Sequence, residues 1–175
     1  LSGYYEFSKQ MDNYSGPYGV QDYFNRENEW SLTSSNNPHR VSLSVMYELP
    51  LAGSKGLFSV SGWRRYMMEG WAVSGVTTMV SGEPLALRPQ FNNTGGVLDV
   101  LNVDVVPGVS PQVADRGPDL WYNPAAFAQP DDFAMGNASR TNPKLRNPSS
   151  QNHDLSLIKR LPLSSEQSLE LSMVG

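Results

Sequence analysis

Residues 37–50 read NPHRVSLSVMYELP and alternate between apolar and mostly polar side chains almost without a break. One side of an extended chain would carry Val41, Leu43, Val45, Tyr47 and Leu49. The other side would carry Ser42, Ser44, Met46 and Glu48. Because successive side chains of a β-strand point to opposite faces, the stretch predicts a strand with one apolar and one mostly polar face. Whether the apolar face contacts a protein core or lipid decides the class of the protein.

The composition of the chain excludes several classes of protein. The 175 residues suffice for one domain, and a content of 39% hydrophobic and 10% aromatic residues argues against disorder. Charged residues make up 17%, which is low for a soluble domain, and a net charge of −4 without a basic stripe argues against nucleic acid as a partner. No apolar run approaches the roughly 20 residues of a membrane helix. A spanning barrel stays open, because its strands show only as alternation.

Four further segments alternate, and they predict antiparallel strands at residues 1–9, 70–82, 153–161 and 168–175. The connections differ greatly in length: residues 11–37 and 84–151 form long loops, 51–69 an intermediate connection and 162–167 a turn. Loops this long are uncommon in a compact sandwich, whereas outer-membrane barrels have short periplasmic turns and long extracellular loops. The segment GWRRYMMEG predicts a short amphipathic helix on the short-turn side. Arg64 and Arg65 fit either an anchor at the lipid interface beside Trp63 and Trp71 or a simple solvated turn.

Catalytic and metal-binding patterns are missing from the sequence. The two histidines, His39 and His153, each open a predicted strand, and neither has a partner at metal-ligand spacing. We expect them to hydrogen-bond at the strand starts. The chain has no cysteine, no nucleophile elbow and no glycine-rich phosphate loop. The sequence therefore predicts no catalytic residue, no metal site, no cofactor and no enzyme activity.

The order of the segments resembles the barrel region of the Oar-like TonB-dependent outer-membrane receptors, in its C-terminal part. Five elements match that family in sequence order. They are YEFSK at residues 5–9, the strand that opens with His-Arg and ends in Leu-Pro at 39–50, the Gly-Trp strand with its Ser-Gly-x-Pro corner at 70–84, NPAAF at 123–127 and DLSL at 154–157.

The resemblance implies an all-β fold of antiparallel strands in a large up-and-down outer-membrane barrel of roughly 22 strands, with long extracellular loops. Residues 1–175 would be an incomplete part of that barrel in the bacterial outer membrane. Its partners would be the lipid bilayer, the remaining strands, a plug domain and TonB. Import of a substrate would begin at the loops, where we expect ligand contacts from Tyr18, Tyr23, Trp30, Trp121 and Tyr122.

A second hypothesis belongs to a different class. A partial barrel has two unpaired strand edges, and such edges recruit further strands. Copies of the chain would then pair edge to edge into an extracellular tube or filament, with the apolar faces packed between layers. The long loops and the family resemblance favour lipid as the partner of the apolar face.

Overall fold

The computed structural model describes residues 1–14, 19–52, 57–58, 61–96, 98, 100–163 and 167–175. The chain divides into two compact units. The first, here called the sheet unit, comprises Leu1–Glu6, His39–Val80 and Ser150–Gly175. The second, here called the loop unit, comprises Phe7–Pro38 and Ser81–Ser149.

Strands account for most of the regular structure in the described residues. In chain order they are β1 (Ser2–Phe7), β2 (Met11–Asp12), β3 (Ser31–Leu32), β4 (His39–Glu48), β5 (Trp71–Val80), β6 (Asp104–Val105), β7 (Phe127–Ala128), β8 (Ser150–Pro162) and β9 (Ser168–Val174). The helical segments are α1 (Trp63–Met68) and a 3-10 turn (Pro124–Ala126). None of the helices in the described ranges is long and apolar enough to cross a membrane.

The sheet unit is one five-stranded sheet in the order β1-β4-β5-β8-β9. The pairs β4–β5, β5–β8 and β8–β9 are antiparallel. Strands β4 and β5 have ten residues each, which is the length that a tilted strand needs to cross a bilayer. The predicted all-β class with antiparallel strands is confirmed. Strand β8 begins at Ser150, slightly inside the segment predicted as loop, because Ser150 and Gln151 pair with the end of β5.

Strand register assigns each predicted apolar residue to a face of the sheet. Directly paired residues lie on the same face, and one row joins Tyr47, Val73, Leu157 and Met173 across four strands. The neighbouring row joins Glu48, Ala72, Ile158 and Ser172 on the opposite face. The same register gathers the predicted apolar positions on one surface, here called the apolar face: Val41, Leu43, Val45, Tyr47, Val73, Met79, Leu155, Leu157, Leu169, Leu171 and Met173.

Most side chains of the apolar face are exposed in the described part of the chain. Leu155 is 61% exposed and Met173 is 74% exposed, although both lie in regular strands. Among the described residues of the sheet unit, the one buried apolar side chain is Ala72. Contiguous apolar surface of this extent marks a contact with membrane or with another protein. The described residues of the sheet unit therefore form no apolar core of their own.

The helix α1 is attached to the five-stranded sheet through Lys159, which lies on the apolar face but is only 8% exposed. Its ammonium group donates hydrogen bonds to the carbonyls of Tyr66 (2.8 Å) and Met67 (3.0 Å), and also to that of Glu69. The Lys159 Nζ atom also lies 5.1 Å from the centre of the Trp71 ring. Helix C-termini favour cations, because their last carbonyls lack partners. The predicted short helix is confirmed, and the carbonyls at its C-terminal end bind the Lys159 ammonium group.

The described core lies in the loop unit. Its buried apolar side chains are Val20, Leu32, Leu101, Val103, Ala126 and Leu145. They come from both long connections, the one between β1 and β4 and the one between β5 and β8. The two connections therefore fold together as one body with its own interior, rather than as two separate solvated loops.

Candidate functional site

Polar side chains join the two long loops inside the loop unit. Gln21, from the first loop, accepts hydrogen bonds from the backbone N–H groups of Asn102 (2.8 Å) and Gly136 (3.0 Å). It also donates to the carbonyl of Gly136 (2.9 Å). Glu29 is 2% exposed, and its Oε1 accepts from the backbone N–H groups of Gln21 and Asp22, both at 2.9 Å. Side chains thus supply hydrogen-bond partners to backbone groups that lie outside the β-strands.

A second junction fastens the small β2–β3 ribbon to the second loop. Arg140 is 1% exposed and donates to the carbonyl of Asp12 at 3.0 Å, and it also forms an ion pair with the Asp12 carboxylate. The hydroxyl of Thr141 donates to the carbonyl of Leu32 at 2.6 Å. A buried charge is stable only when it is paired and hydrogen-bonded. The contacts of Arg140 with Asp12 therefore fix the position of the β2–β3 ribbon on the second loop.

The third junction holds a cation that lacks a carboxylate partner. Arg146 Nη1 donates to the carbonyls of Asn36 (2.8 Å) and Gly82 (3.0 Å), and Nη2 donates to Asn36 Oδ1 (2.8 Å). All three acceptors are neutral. No carboxylate of a described residue lies within 4.0 Å of this guanidinium. Burial lowers the pKa of Arg146 from its ordinary value, and the group stays positively charged at neutral pH.

A cavity of about 400 Å³ opens beside these junctions, within the loop unit. Its walls are formed by Phe7, Ser8, Lys9, Met11, Trp30, Ser31, Leu32, Asn36, Pro38, Ser139, Thr141, Pro143 and Arg146. The volume lies in the range of small-molecule sites, which combine apolar walls with a few polar groups. We call it the loop cavity. Its described lining contains two cations, Lys9 and Arg146, and no acidic residue.

A second, wider depression of about 750 Å³ lies on the loop unit along residues 105–112. Lys144 and Phe127 contribute to it, and Ser139 and Pro143 border both cavities. Its described lining holds one charged side chain, that of Lys144. Its described lining therefore has one cation, whereas that of the loop cavity has two.

The five residues predicted as ligand contacts have different environments. Trp30 is 57% exposed and lines the loop cavity. Tyr23 is 56% exposed and is not part of that lining, and Tyr18 lies outside the described residues. Trp121 donates its indole N–H to the carbonyl of Arg146 at 2.7 Å. Tyr122 packs edge-on against Phe127, with ring centroids 6.0 Å apart. Of the four described residues, only Trp30 lines this cavity.

The sequence analysis predicted none of the other cavity residues, which include Phe7, Lys9, Asn36 and Arg146. Phe7 and Lys9 end the first strand segment, and Arg146 lies near the end of the second loop, 110 residues from Asn36. No spacing rule joins positions this far apart. The available signal was local: Arg146 is a cation in a turn-rich polar stretch without a nearby acid in sequence.

The two histidines form cross-strand hydrogen bonds; His39 opens β4 as predicted, whereas His153 lies three residues inside β8 because that strand begins at Ser150. His39 Nδ1 and Tyr5 Oη are hydrogen-bonded at 2.8 Å, and His153 Nδ1 and Thr77 Oγ1 at 3.1 Å. Within the described ranges, no group of three or more His, Cys, Asp or Glu side chains is placed to hold a metal ion.

Comparison with known proteins identifies the chain's family. A family profile described as an outer membrane beta barrel domain matches residues 1–173. Searches of curated proteins and of solved structures returned no match. The family accounts for the exposed apolar face, since strands of this kind present alternate side chains to lipid. The chain therefore belongs to the outer membrane beta barrel domain family and resides in the bacterial outer membrane, with the lipid bilayer as its environment.

Proposed function

We propose that the chain forms part of the barrel of a TonB-dependent receptor of the Oar-like type, whose long loops bind a substrate for import. A plug domain and TonB would complete the transporter. The proposed role is binding and transport, without catalysis.

The loop unit carries this proposal. An outer-membrane barrel that served only as an anchor would need no folded body in its loops. Here both long connections contribute buried side chains to one folded unit, which contains a cavity of about 400 Å³. The order of sequence elements that resembles the Oar-like receptors supports the specific assignment to TonB-dependent import.

Import can be tested by the depletion of compounds from the growth medium. Three strains would be compared by mass spectrometry of spent medium: wild type, a strain lacking this gene and a strain lacking TonB. The proposal predicts that a shared set of compounds remains in the medium of both deletion strains. Medium from the gene-deletion strain that matches wild type would contradict the proposal.

Self-assembly is the second candidate, and the two edge strands favour it. Strands β1 and β9 each have one strand neighbour in the described sheet, so each leaves one edge unpaired. Electron microscopy of isolated outer membranes and of shed material would separate the two proposals. Regular tubes or filaments that bind antibody against the chain would favour assembly. Membrane-embedded particles with one copy each would favour the receptor.

A further inference from the structure

The loop cavity has an unbalanced charge in a chain that is acidic overall. The full sequence has 17 acidic and 13 basic residues, yet the described lining of the cavity contains two basic and no acidic side chains. Lys9 is exposed and lies at the cavity wall. A site that presents cations without acids attracts anions.

Arg146 is held so that its charge stays uncompensated. Three neutral oxygens, two from Asn36 and one from Gly82, fix two nitrogens of the guanidinium. Substituting a bulkier residue at position 82 is excluded, because a Cβ atom there would collide with the carbonyl of Asn147. These bonds engage both hydrogens of Nη1 and one of Nη2, which leaves one Nη2 N–H and the Nε N–H as the donors for a carboxylate.

Asn36 lies in the same wall and carries a buried donor. It is 1% exposed, and its Nδ2 has no hydrogen-bond partner among the described residues. Buried donors without partners are rare in folded proteins. This donor remains unused beside the Arg146 guanidinium, which the same side chain holds through its Oδ1.

The remaining walls are suited to an apolar body. Phe7, Met11, Trp30 and Leu32 contribute apolar side chains to the lining. The Trp30 ring is more than half exposed, so a planar ring can stack on it. The cavity therefore combines an anion site and an aromatic surface within about 400 Å³.

We propose that the loop cavity binds a small aromatic carboxylate, with the carboxylate at Arg146 and Lys9 and the ring against Trp30. The proposal rests on the proposed receptor function, and it names the chemical class of the substrate.

Binding can be measured by isothermal titration calorimetry on the full-length protein in detergent micelles, with empty micelles as the blank. The probes are 1-naphthoate, its neutral analogue 1-naphthamide and the cation 1-naphthylmethylamine. The expected result is saturable binding of naphthoate, roughly tenfold or weaker binding of the amide, and no binding of the amine. Equal binding of naphthoate and the amide would overturn the proposal, and so would absence of naphthoate binding.

Variants locate the site. Arg146→Gln should weaken naphthoate binding by roughly tenfold or more, and Arg146→Lys by less. Lys9→Gln should also weaken it, and this exposed position leaves the fold intact. Lys144→Gln is the matched control, because it makes the same charge change beside the second depression. A loss of binding in Lys144→Gln with none in Lys9→Gln and Arg146→Gln would overturn the assignment.

The two proposals fail differently. Lack of naphthoate binding together with a shared TonB-dependent depletion of compounds would overturn the substrate class and leave import standing. Naphthoate binding with unchanged medium in the gene-deletion strain would overturn import and leave the anion site standing.

Discussion

Gln21 and Gly136, which are 115 residues apart, bond through both backbone polar groups of the glycine: Gln21 Nε2 donates to the carbonyl and the glycine N–H donates to Gln21 Oε1. A Cβ atom at position 136 would collide with the carbonyl of Asn102, so only glycine allows this approach. One side chain thus joins the two long loops.

Replacing Gln21 by alanine should loosen the loop unit. The change leaves the N–H and carbonyl of Gly136 and the N–H of Asn102 unpaired, and each buried unpaired group costs about 1–3 kcal/mol. We expect a loss of roughly 3 kcal/mol in local stability and faster hydrogen exchange at residues 101–103 and 136–138. Gln10→Ala, at an exposed position, is the control. Exchange that is equal in the two variants would argue against the junction.

Replacing Lys159 by methionine should release the helix α1 from the sheet. The carbonyls of Tyr66, Met67 and Glu69 would lose their shared donor, at a cost of about 1–3 kcal/mol. Hydrogen exchange of residues 66–69 should accelerate, while exchange in β4 stays unchanged. Lys144→Met serves as the control for loss of a lysine charge. Unchanged protection of the helix would show that Lys159 does not hold it.

A charge introduced on the apolar face should cost far more than one introduced on the opposite face. Leu155 and Ser156 are neighbours in β8 with opposite orientations. Leu155→Arg should destabilise the barrel in a bilayer by roughly 2–4 kcal/mol if the site lies near the midplane, and Ser156→Arg should cost much less. Urea unfolding from phospholipid vesicles measures both. Similar losses for the two variants would contradict the assignment of the faces.

Acid should weaken the helix α1 through Glu69. A hydrogen bond from Arg65 lowers the pKa of Glu69 from its usual value of 4.5, and the two side chains form an ion pair at 2.9 Å. Because the folded-state pKa is lowered, the stabilisation is present above the usual value and is lost as pH falls through the lowered one. Hydrogen exchange at residues 66–69, corrected for its intrinsic pH dependence, should rise in that range. In Glu69→Gln this dependence should vanish, and its persistence would implicate another group.

The strands and their faces were predictable because alternation is a local signal. In β4 the period of two places Leu43 and Ser44 on opposite faces whatever the rest of the chain does, and the register confirms it. The environment of the apolar face was harder to predict from the sequence, because the same alternation also occurs in strands that cover the core of a β-sandwich. The long loops beside the strands favoured lipid.

The interior of the loop unit was not predictable in the same way. Its junctions, such as Arg140 with Asp12 at a separation of 128 residues, are non-local polar contacts without a period. Residue type also gives no sign of the partners of Trp121, whose indole N–H donates to the carbonyl of Arg146, and its contact with ligand stays a prediction. The prediction for Trp30 fits the cavity lining and stays to be tested.

Contact between the apolar face and lipid can be measured directly, because the sequence contains no cysteine that would compete for a label. Single cysteines would be placed at each position from Ser42 to Tyr47 and labelled with an environment-sensitive fluorophore, and the protein would be reconstituted with brominated phospholipids. The account predicts strong quenching at Leu43, Val45 and Tyr47 and weak quenching at Ser42, Ser44 and Met46. Quenching that is uniform along β4, or that alternates in the opposite phase, would contradict it.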